Sequence, residues 1–421
     1  MITCLNAKRY NGFVQTYEKK LEKRNLIAML GFNGTFMLLW VFVSIFLVAQ
    51  VFFVTNYDLA AVALFVLIEV IAIFIFYWIA SWASKKIKAI WMVRAATVLI
   101  CVFLVLVIVW QDGLQSHYMV FGLMWGAVQG LYWGATNFLI SKVFNKEKVM
   151  TFFIICFVMN SVVTIVFPFT FGFAIDFGSW ALTSGAVLGV GILQLVFTFI
   201  LKTGMQEDRQ LQIKEYFRTL KKSGKLKSAF GLWFVVFFAG FPYTLTAMMT
   251  ILIIMAYGTN VSIGIIGSIF AVFGIVALLL YRMSKDKIKS PMFWVSSILP
   301  LVASIGLFFY VGPLTVIIFN AALVLPQNIV NVEENNARIN AFRHIGGEQF
   351  MIESHLFYES AFLFGRVLSC CLLLIVAATG TTQTALAIGM AIILLVYVIH
   401  AATLFIWRRS NVQLINQETQ K

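Results

Sequence analysis

The chain has 421 residues, 61% hydrophobic and only 11% charged, with a mean hydropathy of +0.93. No soluble core could take up that much apolar surface, so the composition excludes a soluble enzyme or binding domain and defines a polytopic membrane protein. A net charge of +14 would suggest nucleic acid in a soluble protein, but here the placement of the charge matters more than its sum, and no nucleic-acid partner is expected.

The apolar runs are unbroken, which excludes the alternating strands of a membrane barrel. The expected fold class is all-α, with about twelve transmembrane helices of roughly 20 residues each. With a cytoplasmic N-terminus, the 31 Lys and Arg divide among the N-terminal arm, the even-numbered turns with their flanking helix ends, the central segment and the C-terminal tail. Arg366 is the single exception. No Lys or Arg lies in an outward turn, whereas Asp58, Asp112 and Asp176 occupy the first three. The reading is a multi-pass protein of the plasma membrane with both termini cytoplasmic.

The N-terminal arm carries Lys8, Arg9, Lys19, Lys20, Lys23 and Arg24 ahead of an apolar run long enough to span, so it reads as a retained first span and not as a cleaved signal. Phe13, Tyr17 and Leu21 recur every four residues, the pattern of a basic segment resting on anionic lipid or, equally, of a tail without fixed structure. Span 1 is expected from Asn33 to Phe53, the outer turn from Thr55 to Asp58, and span 2 from Leu59 to Ser81, which puts Glu69 near the midplane.

The turn after span 2, Ser84 to Lys88, resembles the turn after span 8, Ser284 to Lys289: Lys86, Ile87 and Lys88 recur as Lys287, Ile288 and Lys289 about half the chain later. Two six-helix pseudo-repeats in the same orientation would produce this. The domain reading is residues 1–201 as an N-terminal half with its amphipathic arm, 202–227 as a basic cytoplasmic linker, and 228–421 as a C-terminal half.

Spans 3 and 4 cover Trp91 to Trp110 and Tyr118 to Ile140. Gly122, Gly126, Gly130 and Gly134 stripe one face of span 4, a groove that lets a neighbouring helix come close or lets span 4 slide. Gln129, Tyr132, Trp133 and Asn137 are candidates for a cavity wall beside it. Span 5, Met150 to Ile175, adds Asn160, and Pro168 is expected to open one turn of its backbone. In the linker, Ile213, Tyr216, Phe217 and Leu220 share a face, giving either a short helix on the membrane surface that ends at Ser223-Gly224 or a solvated tether.

Span 7 is interrupted at Gly240-Phe241-Pro242-Tyr243, and spans 8 and 9 follow at Ile263 to Tyr281 and Phe293 to Tyr310. Span 10, Leu314 to Val330, is expected to break at Pro326 and offers Asn320, Gln327 and Asn328. Span 11 reaches Ala378, and span 12, Ala385 to Trp407, holds His400 and ends on Arg408 and Arg409. The five cysteines lie in the arm or inside spans, so no extracellular disulfide is implied.

Glu348, His355, Glu359 and Arg366 fall within about 20° of one line on the helix entering span 11, at 100° per residue. Such a stripe reads as one wall of a wet cavity, although Glu348 and His355 also suit a solvated extension. Arg366 lies well inside the span, where an unpaired guanidinium costs roughly 2.5 to 3.5 kcal/mol and must face protein, water or an anion. Glu69 is the other charge at that depth. The two could form a structural bridge, a switch that breaks during transport, or a carboxylate beside an anion site.

No HExxH, paired CxxC or GxxxxGK[ST] motif is present, so the chain is not read as an enzyme and no cofactor or metal is expected. With its basic turns after spans 2 and 8, its long basic loop after span 6 and its cytoplasmic termini, the sequence resembles the major facilitator superfamily over almost its whole length. The turns at Ser84 to Lys88 and Ser284 to Lys289 stand in the place of the family's signature loop without its Gly and Arg pattern, and Asp286 alone matches its acidic residue. The resemblance implies neighbouring spans 2 and 11, bringing Glu69 toward Arg366.

The functional reading is a secondary active transporter moving a small organic solute by alternating access, coupled to protons or another ion, a monomer among membrane lipids. A lipid or amphiphile flippase and a non-transporting sensor or scaffold are the alternatives. Glu69, Arg366, Glu359 and His355 are the candidates for substrate or proton coupling, and Gln129, Tyr132, Trp133, Asn137, Asn160, Asn320 and Asn328 for the cavity wall. Single cysteines at Asp58, Asp112 and Asp176, in a background without other cysteines, are expected to react with an impermeant reagent from outside intact cells. Labelling only after the cells are broken would reverse the orientation.

Overall fold

The computed structural model describes residues 23–83, 86–111, 113–143, 146–201, 211–341, 345 and 350–411, and all regular structure among them is helical. The arm with Phe13, Tyr17 and Leu21, together with Asp112 and Glu348, lies outside the described residues. Ahead of the linker come α1 (Lys23–Val54), α2 (Leu59–Ala83), α3 (Ala89–Val109), α4 (Leu114–Val143), α5 (Lys146–Phe177) and α6 (Trp180–Ile200). The linker holds the short α7 (Ile213–Lys222). Beyond it lie α8 (Leu226–Tyr257), α9 (Asn260–Met283), α10 (Asp286–Phe309), α11 (Pro313–Ala341), α12 (Met351–Ala377) and α13 (Thr382–Ser410).

Eleven of these helices are long and apolar enough to cross a membrane. The long helix outside that group is α4, whose 30 residues include the glycine stripe, Gln129 and Asn137, which lower its hydropathy. Helix is the expected form for such runs, because hydrocarbon offers the backbone no partner outside the segment itself. Short turns join the helices at the end that carries Asp58 and Asp176, the end that the charge pattern assigns to the outside and that is called outer below. Asp58 accepts from Ala60 N at 2.8 Å, and Ser179, Thr259 and Thr381 cap α6, α9 and α13 by accepting from the backbone N–H three residues on.

The glycine stripe has a definite partner. A Cβ on Gly122 would lie 2.6 Å from the Phe65 carbonyl oxygen, one on Gly126 or Gly130 would run into the carbonyl oxygens of Glu69 and Ile73, and one on Gly134 would sit 3.0 Å from that of Tyr77. The contacted residues are themselves four apart, so α4 and α2 lie with their i, i+4 rows in register. A second close crossing joins α8 to α12, where a Cβ on Gly365 would overlap the Phe237 carbonyl and one on Gly240 would come within 2.7 Å of that of Phe362.

The prolines do not behave alike. Pro168 lies inside a continuous α5, and α11 runs unbroken from Pro313 to Ala341, so Pro326 does not break its helix as expected. Breaking a helix at that depth would strand several backbone groups, whereas one proline removes a single hydrogen bond. Pro242 does mark a change: Phe241–Thr244 is a 3₁₀ turn in the middle of α8, beside the glycine crossing with α12. In α1, Phe42–Leu47 widens into a π-helix at the point where Phe42 packs on Phe171 and Trp180.

The linker helix forms, with Ser223 closing it and Gly224 at φ +69° beyond. Its apolar face does not lie on lipid, as the surface reading had it. Tyr216 and Leu220 are buried in a cluster with Ala229, Leu232 and Phe350, and Phe217 packs on Phe230 and Phe357 of α8 and α12. Gln212 N donates to Glu353 Oε1 at 2.9 Å, fixing the start of α7 to the start of α12.

Gly126→Ala is expected to lower stability by about 1–3 kcal/mol through overpacking against α2. Gly185→Ala, where nothing lies within 4 Å of the added carbon, should be neutral. Thermal unfolding of the purified variants compares the two, and equal midpoints would show that the stripe is not a packed interface.

Candidate functional site

The two polar residues that follow the stripe land on polar residues of α2. Gln129 Nε2 donates to Glu69 Oε1 at 2.6 Å, and Asn137 Nδ2 donates to the Tyr77 hydroxyl at 3.3 Å. Because the glycines set the register of α4 on α2, they also set these pairs. The Glu69 side chain is 5% exposed, yet it is not confined to contacts before the linker: the Tyr243 hydroxyl, from the 3₁₀ turn of α8, donates to the same Oε1 at 2.8 Å. One carboxylate oxygen thus holds together two helices from opposite sides of the linker.

Arg366 lies beside this junction on α12, as the resemblance implied. Its guanidinium carbon is 4.7 Å from the centre of the Tyr243 ring and 5.0 Å from that of Phe362. It does not form an ion pair with Glu69. Tyr243 stands between them, its hydroxyl serving the carboxylate and its ring face the cation. One turn of α12 further on, Ser369 Oγ donates to the Phe241 carbonyl at 2.8 Å and lies 2.6 Å from Thr244 Oγ1, tying the 3₁₀ turn to α12.

The other predicted residues separate into groups. Glu359 lies two turns from Arg366 on α12, half-buried, with no hydrogen bond or ion pair among the described residues. His355, one turn further, is half-buried on the same helix. Tyr132 is not an open wall residue: it is buried against α1, its ring 3.5 Å from that of Phe36 and nearly parallel to it, with its hydroxyl donating to Asn33 Oδ1 at 2.9 Å. Trp133 packs edge-on against Phe36 and Tyr132 and is half-buried.

Asn160 on α5 is half-buried, with its side-chain oxygen shielded and unpartnered. Asn320 and Asn328 each turn their amide back to the carbonyl four residues earlier, at 2.8 and 2.9 Å. Asn328 fills the space left by Gly274 of α9, which makes it a packing residue of α11. Pro326 and Gln327 lie in the same helix, and their side chains are outside the description.

Tyr243 was missed as a site residue. The signal was present, since a tyrosine directly after a proline in mid-span carries a polar group into backbone that is already irregular. Arg338, Glu333 and Glu334, at the far end of α11, were missed as well. Arg338 lies 5.2 Å from the Phe362 ring on its way to Glu334, 3.9 Å away, and Asn335. Glu333 accepts from the Tyr281 hydroxyl at 2.6 Å and pairs with Arg408.

At the outer end, helices from before and after the linker close on one another. Asp176 of α5 accepts from Asn260 Nδ2 and Val261 N at the start of α9, both at 2.8 Å. Gly172 and Gly264 bring the two backbones together just below, Gly264 against the Pro168 carbonyl. The outer parts of α1 and α8 pack together, whereas the inner part of α8 packs on α7, α12 and α13.

Long apolar helices around a junction of a carboxylate, a tyrosine and a guanidinium define a multi-pass membrane protein. The sequence profile of the Major Facilitator Superfamily matches residues 25–332, and the chain belongs to that superfamily. No curated protein matches it by sequence. Among solved structures, the nucleoside transporter NupG aligns with a TM-score of 0.63 at 14% identity over 92% of this chain and 98% of its own. The POT family transporter PepTSo aligns with a TM-score of 0.70 at 10% identity over 93% and 98%. A POT family transporter in complex with 5-aminolevulinic acid gives 0.69 at 10% identity over 92% and 96%. At these identities the likeness is one of fold.

Tyr243→Phe removes the hydroxyl bond to Glu69 and keeps the ring under Arg366. It is expected to cost about 1.5–3 kcal/mol, the worth of a hydrogen bond to a charged group. Tyr243→Leu should cost more, since it also removes the cation–π contact. Thermal unfolding in detergent measures both, and a phenylalanine variant as stable as the parent would mean that the Glu69 bond contributes nothing.

Proposed function

We propose that the protein is a secondary transporter that moves a small organic solute by alternating access, driven by a proton gradient. The observation that carries this is the shared acceptor at Glu69, bonded to Gln129 on one side of the linker and to Tyr243 on the other. When the carboxylate is ionised both bonds are charge-assisted. When it is protonated they become neutral and roughly half as strong. Proton uptake therefore loosens a bond between two helix sets that must move apart, which is what coupling requires.

In this reading α4 joins the eleven more apolar helices as the twelfth span. Residues 1–201 and 228–421 form two six-helix halves, 202–227 tethers them in the cytoplasm, and both termini are cytoplasmic in the plasma membrane. Closure by Asp176 and the α5–α9 glycines at the outer end supports an inward-facing arrangement. The stripe of Arg366, Glu359 and His355 then lines the inner approach to the site, with Asn137 opposite on α4. The helix fold shared with transporters of nucleosides and peptides supports small solutes as cargo.

An uptake and efflux screen in membrane vesicles identifies a transported solute. With that solute in proteoliposomes, Glu69→Gln is expected to lose accumulation driven by a pH gradient, by about tenfold or more, and to retain exchange of labelled for unlabelled solute at equal pH. Undiminished accumulation in the variant would remove Glu69 from the coupling step.

A further inference from the structure

Three charged groups surround the Tyr243–Phe362 aromatic pair, and two of them are already satisfied. Glu69 receives two hydrogen bonds, from Gln129 and Tyr243. Arg338, on one approach to Phe362, is engaged by Glu334 and Asn335. Arg366, which stacks on both rings, is different: among the described residues it makes no hydrogen bond and no ion pair. Its nitrogens are not sealed in the interior as unpartnered atoms, and the side chain is only half-buried. Glu359, the carboxylate that shares its helix face, lies seven residues away, about 10 Å along the axis, which is too far for a direct pair.

A guanidinium uses its faces for stacking and its edge for hydrogen bonds, so aromatic contacts leave its donor fork intact. Glu69 and Glu334 attract it only through space, so at mid-depth its fork still lacks a hydrogen-bonding acceptor. We propose that Arg366 is the substrate-binding residue of the transport site, and that the solute is a small organic anion whose carboxylate or phosphate is held by the Arg366 fork while its apolar part rests on Tyr243 and Phe362. This deepens the transport reading and relies on it for the role of the site, although binding itself requires no flux. It also links cargo to coupling, because the ring that stacks on Arg366 carries the hydroxyl that holds Glu69. An anion arriving at Arg366 acts on the Glu69 junction through one side chain.

The test uses the purified full-length protein in detergent and needs no variant at first. Arg366 should be modified by phenylglyoxal, followed by mass spectrometry of its peptide, at a rate that shows an available guanidinium. Benzoate and phenyl phosphate should slow that modification, by about tenfold at saturation, while benzamide and benzyl alcohol leave it unchanged. Inorganic phosphate separates a free-ion site from one for organic anions, and protection by it alone would overturn the proposal. In thermal-shift titrations, stabilisation by benzoate or phenyl phosphate should be lost in Arg366→Gln and weakened in Arg366→Lys, which keeps the charge without the fork. If Arg366 is unreactive, or neutral and anionic probes protect equally, the inference fails while proton-driven transport stands. If anions protect but no solute moves with the pH gradient, the transport reading fails and the anion site remains.

Discussion

The site depends on how closely α4 approaches α2. A Cβ on residue 126 would clash with the Glu69 carbonyl oxygen, and the same collision repeats one turn away at Gly130 and Ile73. Helices in hydrocarbon gain no hydrophobic free energy from burying apolar side chains against one another, so close packing and interhelical hydrogen bonds must hold them. The stripe supplies both at once. It brings the backbones together and places Gln129 on Glu69 and Asn137 on Tyr77. The crossing of Gly240 and Gly365 does the same work on the other side of the linker, holding the 3₁₀ turn and its tyrosine against α12.

The way charge is handled differs along the bundle. Near the inner ends of α11 and α13, Glu333 and Arg408 pair directly, and Glu334 lies near Arg338, as suits groups that only need to be neutralised. At mid-depth the carboxylate and the guanidinium are kept apart by Tyr243. A direct buried pair would have to recover the desolvation of both ions and, once formed, would be costly to break. A tyrosine that bonds one partner through its hydroxyl and the other through its ring satisfies both more weakly. In the proposed cycle, that weaker arrangement would let Glu69 gain a proton and Arg366 receive an anion without first breaking a salt bridge.

The linker is built onto the helices that follow it. Helix α7 covers an apolar cluster at the inner ends of α8, α12 and α13 with Tyr216 and Leu220, while Lys214, Lys221 and Lys222 stay on its outer side. The tether is therefore packed against the helices that follow it.

The sequence by itself determined what depends on local composition: helices throughout, the position of nearly every long apolar helix, and the short amphipathic linker helix with its Ser223-Gly224 stop. These were legible because a membrane penalises each unpaired polar group heavily enough that its place in the hydropathy pattern is informative. The glycine stripe was also visible as a groove, but its partner was not, since spacing on α4 says nothing of which carbonyls face it. Only the tertiary structure decided that Glu69 and Arg366 meet through Tyr243, that Tyr132 packs into α1, that Asn320 and Asn328 turn back on their own helix, and that Pro326 leaves its helix intact. Each of these depends on atoms brought together from distant parts of the chain, and the choice between a partner across the bundle and one four residues back is made by packing, which no single segment encodes.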